Sequence, residues 1–433
     1  MLEVSDENSV LDLELNSPEV SRCPYPHYVA LHERNIRVKP EPSIGYAITG
    51  YEEVQNVAKD PITFSSTWQG ADGQDMMGVS TEPYSDDVKS LIAQYPFPMP
   101  NTLLVADGPA HARQRVLVSK ALNGQFVRAM TPAIEKIIHD LIDSFIDAGR
   151  CEFMSQFAEP IPSTVISDAL GIAREDVPRF KRYSEAFILG LIEPIDNVQR
   201  VEVARTIIEY QNFMAGLLQE RRERPREDLL SAMVNAELDL EGEDAGIEGL
   251  RNLTDAEILG MLCQLVAGGH HTTAGLIGNG LMILLEQPDV MDALRSDLDL
   301  IPNFIEEVLR YDPPIQCTFR RVTADTDVSG QDIAEGTILA TMWGAANQDH
   351  LTFENPRTFD PKRKHVRRHL AFGQGTHFCI GAGLARLDSR IAFEALLTRL
   401  DDIKFAADEK VERHVSFASS SYKRIPITFR KSG

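Results

Sequence analysis

Between Asn252 and Pro288 the chain reads as a single long helix. Thr254 followed three residues later by Glu257 is a capping-box signature, and no proline interrupts the run until Pro288. Roughly 33 residues at about 1.5 Å each give a rod of about 50 Å, enough to cross a whole molecule. Its middle, Leu265 to Ile277, is largely apolar and predicts a buried helix. Inside it lies Gly268-Gly269-His270-His271-Thr272-Thr273. Two adjacent glycines in a helix interior cost about 1 kcal/mol each relative to alanine. A cost of that size implies that something needs the room, such as a flat cofactor or a bound gas molecule.

A second feature carries the chemistry. Phe372-Gly373-Gln374-Gly375-Thr376-His377-Phe378-Cys379-Ile380-Gly381 holds a lone cysteine among three glycines, and an amphipathic helix is expected over Ala382–Leu400. Glycines let a backbone turn tightly and lie close to a flat partner. A helix N-terminus favours a thiolate through its free N–H groups and dipole, as a metal-ligating cysteine requires. A glycine-rich turn around a buried thiol is the commoner fate of a single cysteine. The whole ten-residue pattern, however, resembles the haem-binding loop of the cytochrome P450 family. That resemblance implies Cys379 as proximal ligand of haem iron, with Phe372, Gly373 and Gly381 shaping the loop around haem b.

The resemblance extends from Pro24 to the C-terminus. It implies a mainly α protein with small β-sheets, haem lying between the long helix and the cysteine-bearing loop. Length alone allows two or three domains in 433 residues; the family implies one domain over 23–433 after a tail at 1–22. A formal charge of −22 argues against nucleic acid as a partner. No run of eighteen apolar residues offers a membrane span, and acidic Met1–Pro18 is unlike a signal peptide. Five cysteines without a paired pattern or CxxC argue against a disulfide framework or zinc site. The expectation is a soluble bacterial protein of the cytoplasm.

Along the chain, Tyr46–Thr49 reads as a short strand, and helices are expected near Val177–Gly190 and Val198–Arg221. The weakly periodic stretch 66–105 reads either as a substrate-facing lid, with Trp68, Met76, Met77, Phe97 and Met99 as its apolar contacts, or as a loop packed on the surface. Arg221–Arg226 reads as a solvated charged turn, and Asp239–Glu248 as an acidic, mobile segment.

Several constellations take meaning from the family. Thr272 matches its distal threonine, which serves in dioxygen and proton handling, but His271 stands where the family usually has Asp or Glu. An imidazole with a pKa of about 6.5 can still move protons; alternatively His271 fills a polar niche, or His270 or His271 ligates iron. Glu307 and Arg310, three apart on a helix expected from Ile301, match the family's structural Glu–Arg pair, with His365 or Arg367 as the completing residue. His111 and Arg115, Arg320, and His377 offer cations to haem propionates, Arg by its bidentate fork. Leu265, Gly268, Gly269, Ile315, Cys317, Thr318, Phe417 and Ala418, with Trp68 and Phe187, match segments that line the family's substrate pocket. The basic run Arg363–His369 would steer an acidic ferredoxin to the proximal face, or part of it would pair internally with a haem propionate or Glu307.

Together these imply a haem-thiolate monooxygenase acting with O2 on a small, largely hydrophobic organic substrate. Electrons would come from NAD(P)H through a ferredoxin reductase and ferredoxin. Two alternatives stand beside it: a peroxide-driven or otherwise non-standard haem-thiolate enzyme, suggested by His271, and a non-catalytic haem-binding protein.

Overall fold

The computed structural model describes residues 13–67, 84–192 and 195–433, apart from a few side chains near the end of the Val177–Ile192 helix, Phe187 among them. About 54% of the chain is helical, with small sheets. Two compact units emerge, each assembled from separated segments. One comprises residues up to Ser65, Ile134–Ile161 and Thr272–Gly433; the other runs over Ser66–Ala133 and Pro162–His271. Among the described residues, no helix is long and apolar enough to cross a membrane.

The predicted long helix spans Asp255–Glu286 and passes from the second unit to the first between His271 and Thr272. Its capping box is present: the Thr254 N–H donates to Glu257 Oε2 at 2.9 Å, and the Glu257 N–H to Thr254 Oγ1 at 3.3 Å. Ile258–Cys263 and Thr273–Leu284 are buried throughout, but Gly268 and His271 are exposed, and Leu265, Gly269 and Thr272 are half-buried. Leu265, Gly268, Gly269 and Thr272 recur at i, i+3, i+4 and i+7, so one stripe in the middle of a largely buried helix is left open.

The first unit is built on a five-stranded sheet. Its strands run in the order Val38–Glu41, Gly45–Ile48, Ile338–Thr341, Thr318–Val322, Phe64–Ser65. All neighbours are antiparallel except Gly45–Ile48 with Ile338–Thr341, which pair in parallel from Gly45↔Ile338 to Ile48↔Thr341. Ile48, Val54, Val322, Leu339 and Trp343 bury one core here. A smaller sheet joins Arg150–Glu152, Pro426–Lys431 and Leu400–Phe405. The helix behind the cysteine runs over Ala382–Arg399 and buries Ile391, Ala392, Phe393, Ala395 and Leu396.

The second half of the long helix packs into this unit through glycines. A Cβ on Gly275 would lie 3.2 Å from Pro314 Cβ, one on Gly278 2.7 Å from Met154 Sδ, and one on Gly280 within clash distance of the Phe393 ring. Interiors this dense leave no slack for a methyl group.

In the second unit the helices are Gly108–Ala121, Val177–Ile192 and Asn197–Glu223, close to expectation. Two expectations are corrected at single residues, while Arg222–Arg226 and most of Asp239–Glu248 are exposed. Arg221 is not solvated but fully buried, donating to Asp228 at 2.6 Å and to the Gly171 carbonyl at 2.9 Å. A guanidinium so placed must be paired to be tolerated. Asp244, in the supposedly mobile acidic segment, is buried and paired with Lys120. Of the expected lid, residues 68–83 lie outside the described part, Trp68, Met76 and Met77 with them. The remainder includes a helix at Asp86–Ile92, and Gln211 holds the Phe97 backbone by bonds of 3.1 Å at both N–H and C=O.

Candidate active site

The cysteine loop is shaped by left-handed backbone at Gly373 and Gly375, each with φ of 72°. A side chain at Gly375 would also strike the Ala58 carbonyl, with Cβ 2.6 Å from its oxygen, so only glycine fits. The Cys379 N–H donates to the Phe372 carbonyl at 2.8 Å and closes the loop. Gly381 then caps the Ala382–Arg399 helix. Cys379 is exposed at this N-terminus, whereas Cys151, Cys263 and Cys317 are buried. Burial pushes the Cys151 thiol up to about 12 and those of Cys263 and Cys317 higher still, which keeps them protonated. Cys23 is also exposed and lies between the Pro18–Arg22 and Tyr25–Glu33 helices, but no glycine loop precedes it.

The scaffold under the loop comes from the Ile301–Tyr311 helix. Glu307 and Arg310, both fully buried, form a two-pronged pair with contacts of 2.8 Å. Arg310 also donates to the carbonyls of Asn347 at 3.1 Å and Pro356 at 2.8 Å. The completing residue is Arg363, whose Nε lies 2.9 Å from Glu307 Oε1, not His365 or Arg367. His365 is exposed, and Arg367 instead approaches Glu306 at 3.5 Å. Arg363 reaches the buried carboxylate because the chain turns back at Asp360, whose N–H also donates to Glu307 at 3.1 Å.

Glu306, the preceding residue, anchors a separate cluster. His369 Nε2 contacts it at 2.9 Å and Arg386 Nε at 2.7 Å. Burial alone would raise this carboxyl, but the hydrogen bonds from His369 and Arg386 hold it down at about 2. The Ala371 N–H donates to His369 Nδ1 at 3.2 Å, so Nε2 carries the proton given to Glu306. Burial keeps the His369 imidazole below its usual range, with Glu306 opposing. The Arg386 guanidinium lies 4.5 Å from the Phe372 ring centre, which ties this cluster to the cysteine loop.

The remaining candidates fall as follows. Arg320 is buried on the Thr318–Val322 strand, donating to the Phe319 carbonyl at 2.7 Å, and His377 is half-buried on the short turn before Cys379. His111, buried, and Arg115, half-buried, share a face of the Gly108–Ala121 helix in the second unit. Ile315, Thr318, Phe417 and Ala418 are half-buried. Cys317 turns instead into an apolar cluster with Tyr25, Tyr28, Ala47 and Met342. The basic run is split: Arg363 and His369 point inward, while Lys364, His365, Arg367 and Arg368 are exposed.

A family model described as cytochrome P450 matches residues 76–414. The chain belongs to the cytochrome P450 family. Among its relatives is the cytochrome P450 monooxygenase PikC of Streptomyces venezuelae, 34% identical over 400 residues, which covers 91% of this chain and 88% of that protein. The structure of cytochrome P450 CYP109Q5 from Chondromyces apiculatus superposes with a TM-score of 0.82 at 32% identity, covering 97% and 98% of the two chains. P450BioI, solved in complex with an acyl carrier protein ligated to hexadec-9Z-enoic acid, gives a TM-score of 0.81 at 28% identity, covering 95% and 100%.

This P450 is therefore a monooxygenase with haem b as cofactor. Its residues fit that group. The exposed thiol precedes a helix, the loop before it carries two glycine-only turns, and among the described residues a Cβ on Gly268 or Gly269 would meet nothing within 4 Å. Sequence reasoning allowed part of the basic run to pair with Glu307 without singling out Arg363, and it missed the Glu306 cluster with His369 and Arg386. The EE pair at Glu306-Glu307 was the signal available for them.

Proposed function

We propose that this P450 inserts one atom of O2 into a small, largely hydrophobic organic substrate, with electrons from NAD(P)H through a ferredoxin reductase and ferredoxin. What carries the reading is Cys379, an exposed thiol at a helix start, on a loop whose supporting charges are all paired. Bound haem supplies the dioxygen chemistry, and a thiolate ligand favours O–O cleavage. The protein supplies the ligand, cations for the propionates and a path for protons. Cys379 holds the iron; Arg320 and His377, with His111 and Arg115, pair with the carboxylates; Phe372, Gly373 and Gly381 shape the loop. Thr272 and His271 hold and pass protons on the long helix, with the His271 imidazole replacing a carboxylate. Leu265, Gly268, Gly269, Ile315, Thr318, Phe417 and Ala418 contact substrate, with Trp68 and Phe187. In this reading 23–433 act as one catalytic domain in the cytoplasm.

The electron donor docks beside the cysteine loop. A groove of about 950 Å³ there is lined by Tyr51, Leu351, Arg367, Arg368, Gln374 and Phe378, among others. Exposed arginines would draw in an acidic ferredoxin, and a flat dependence of reduction rate on salt would refute such steering.

The deciding experiment is the carbon monoxide difference spectrum of the reduced protein. The long-wavelength Soret band that names the family is expected, and is expected to vanish in Cys379→Ser. A histidine-type band in the unmodified protein would refute the assignment. A second reading, a peroxide-driven enzyme, is favoured by His271, exposed on the helix where the family usually has an acid. Product from peroxide but not from the ferredoxin system would establish it. Terpenoid, steroid, aromatic and polyketide-like molecules, free or carrier-bound, make up the first substrate panel.

A further inference from the structure

The stretches Pro313–Phe319 and Val415–Ser421 lie side by side. The Gln316 N–H donates to the Ala418 carbonyl at 2.8 Å and the Ser420 N–H to the Pro314 carbonyl at 2.9 Å, while Ile315 and Ser419 form a bridge. Gln316 and Ser420 are buried, whereas Ile315, Phe417 and Ala418 are half-buried. Ile315 packs against one apolar cluster and Phe417 and Ala418 against another, each keeping part of its surface open, while the polar side chains turn inward.

What they turn toward is a buried cluster around Asp312. Its carboxylate accepts hydrogen bonds from the Tyr25 and Ser420 hydroxyls and faces Arg413 at 3.3 Å. Asn279 of the long helix donates to the Asp312 carbonyl at 2.9 Å and to the Ser420 carbonyl at 3.1 Å. The Gln316 amide donates to the Pro313 carbonyl at 2.8 Å and accepts from Tyr28 at 3.2 Å. Segments nearly 400 residues apart in the chain, from Tyr25 to Ser420, thus converge on one carboxylate. Moving either stretch would strand buried donors and acceptors, so the cluster admits one relative placement of the two.

We propose that the Asp312 cluster is a specificity-setting brace. Asp312, Ser420 and Arg413 are positioning residues: they touch no substrate, but they fix the spacing of the wall that carries Ile315, Phe417 and Ala418. The proposal rests on the reading that this wall faces the substrate.

The test uses the haem-loaded protein and two nitrogen ligands followed by the Soret shift. Imidazole is small and polar and offers an apolar wall little surface; clotrimazole is bulky and apolar. Ser420→Ala should leave imidazole affinity within about twofold and weaken clotrimazole about tenfold, because the Asp312 carboxylate loses a buried donor. Ser420→Thr, which keeps the hydroxyl, should restore the ratio. If Ser420→Ala fails to fold, Arg413→Gln, at a half-buried partner, carries the same expectation. An unchanged ratio of the two affinities, or no rescue by threonine, overturns the brace. Phe417→Ala separates this from the underlying reading. If it leaves clotrimazole binding unaltered, the wall does not face the ligand and both fall. If it alters binding while Ser420→Ala and Arg413→Gln do not, only the brace falls.

Discussion

The long helix uses glycine for opposite ends in its two halves. Gly275, Gly278 and Gly280 are places where a neighbour presses against the backbone: Pro314, Met154 and the Phe393 ring occupy the space of the missing side chains. At Gly268 and Gly269 nothing among the described residues comes within 4 Å of that space. Both sets carry the same helix-propensity cost, about 1 kcal/mol per residue. In one half that cost is offset by close packing. In the other it leaves a cleared stripe, and a cleared stripe is useful only to something that enters it. One residue type therefore marks both scaffold and site, and only its surroundings say which.

The largest effect that would sharpen this contrast is at the packed half. Gly280→Val drives a branched side chain into the Phe393 ring and should lower unfolding stability by about 3 kcal/mol, the upper range for overpacking. An unchanged urea midpoint would mean that Phe393 moves aside freely. Gly268→Ala should do the reverse, raising stability by about 1 kcal/mol through helix propensity. The same variant should weaken binding of a bulky azole, so stability and affinity move in opposite directions. Loss of stability at Gly268 would erase the distinction between the halves.

A further effect concerns charge in the packed half. Asp388, on the helix that supplies Phe393, is buried, and burial pushes its carboxyl up to about 8. Its Oδ1 meets no hydrogen-bond donor among the described residues. The folded state thus keeps a proton that the unfolded chain releases, and stability should fall as pH rises from 3.8 to about 8. Asp388→Asn should flatten that slope in urea midpoints taken across the interval. Glu306 has the opposite sign: its stabilising contribution is present above 4.5 and is lost as pH falls toward about 2. The smallest effect is at the open stripe. His271→Ala should alter the pH dependence of product formation more than its maximum, and an unchanged profile would remove His271 from the proton path.

Much of this was legible in the sequence because the signals are local. The capping box at Thr254 and Glu257, the glycine loop before Cys379 and the helix behind it each involve residues within a turn or two. What escaped depends on distant partners. Arg221 looks solvated beside its own charged neighbours, and only Gly171, some fifty residues earlier, with Asp228 on the following turn, makes it a core residue. Arg363, rather than His365 or Arg367, completes the Glu307 pair because of where the chain turns near Asp360. Cys317 sits in a stretch that matches the family's substrate-lining segment, yet Tyr25, Tyr28 and Met342, distant in the chain, enclose it in the core. The Asp312 cluster has no sequence signature, since its donors span nearly the whole chain.

Glu306 and Glu307 are consecutive, so on an ideal helix their side chains leave the axis about 100° apart. Each is gripped by a different set of donors, Arg386 and His369 on one side, Arg310 and Arg363 on the other. A single anchor would leave the Ile301–Tyr311 helix free to roll about its axis. Two anchors at an angle set its azimuth, and through Arg386 on Phe372 that azimuth is passed to the loop that carries the sulfur.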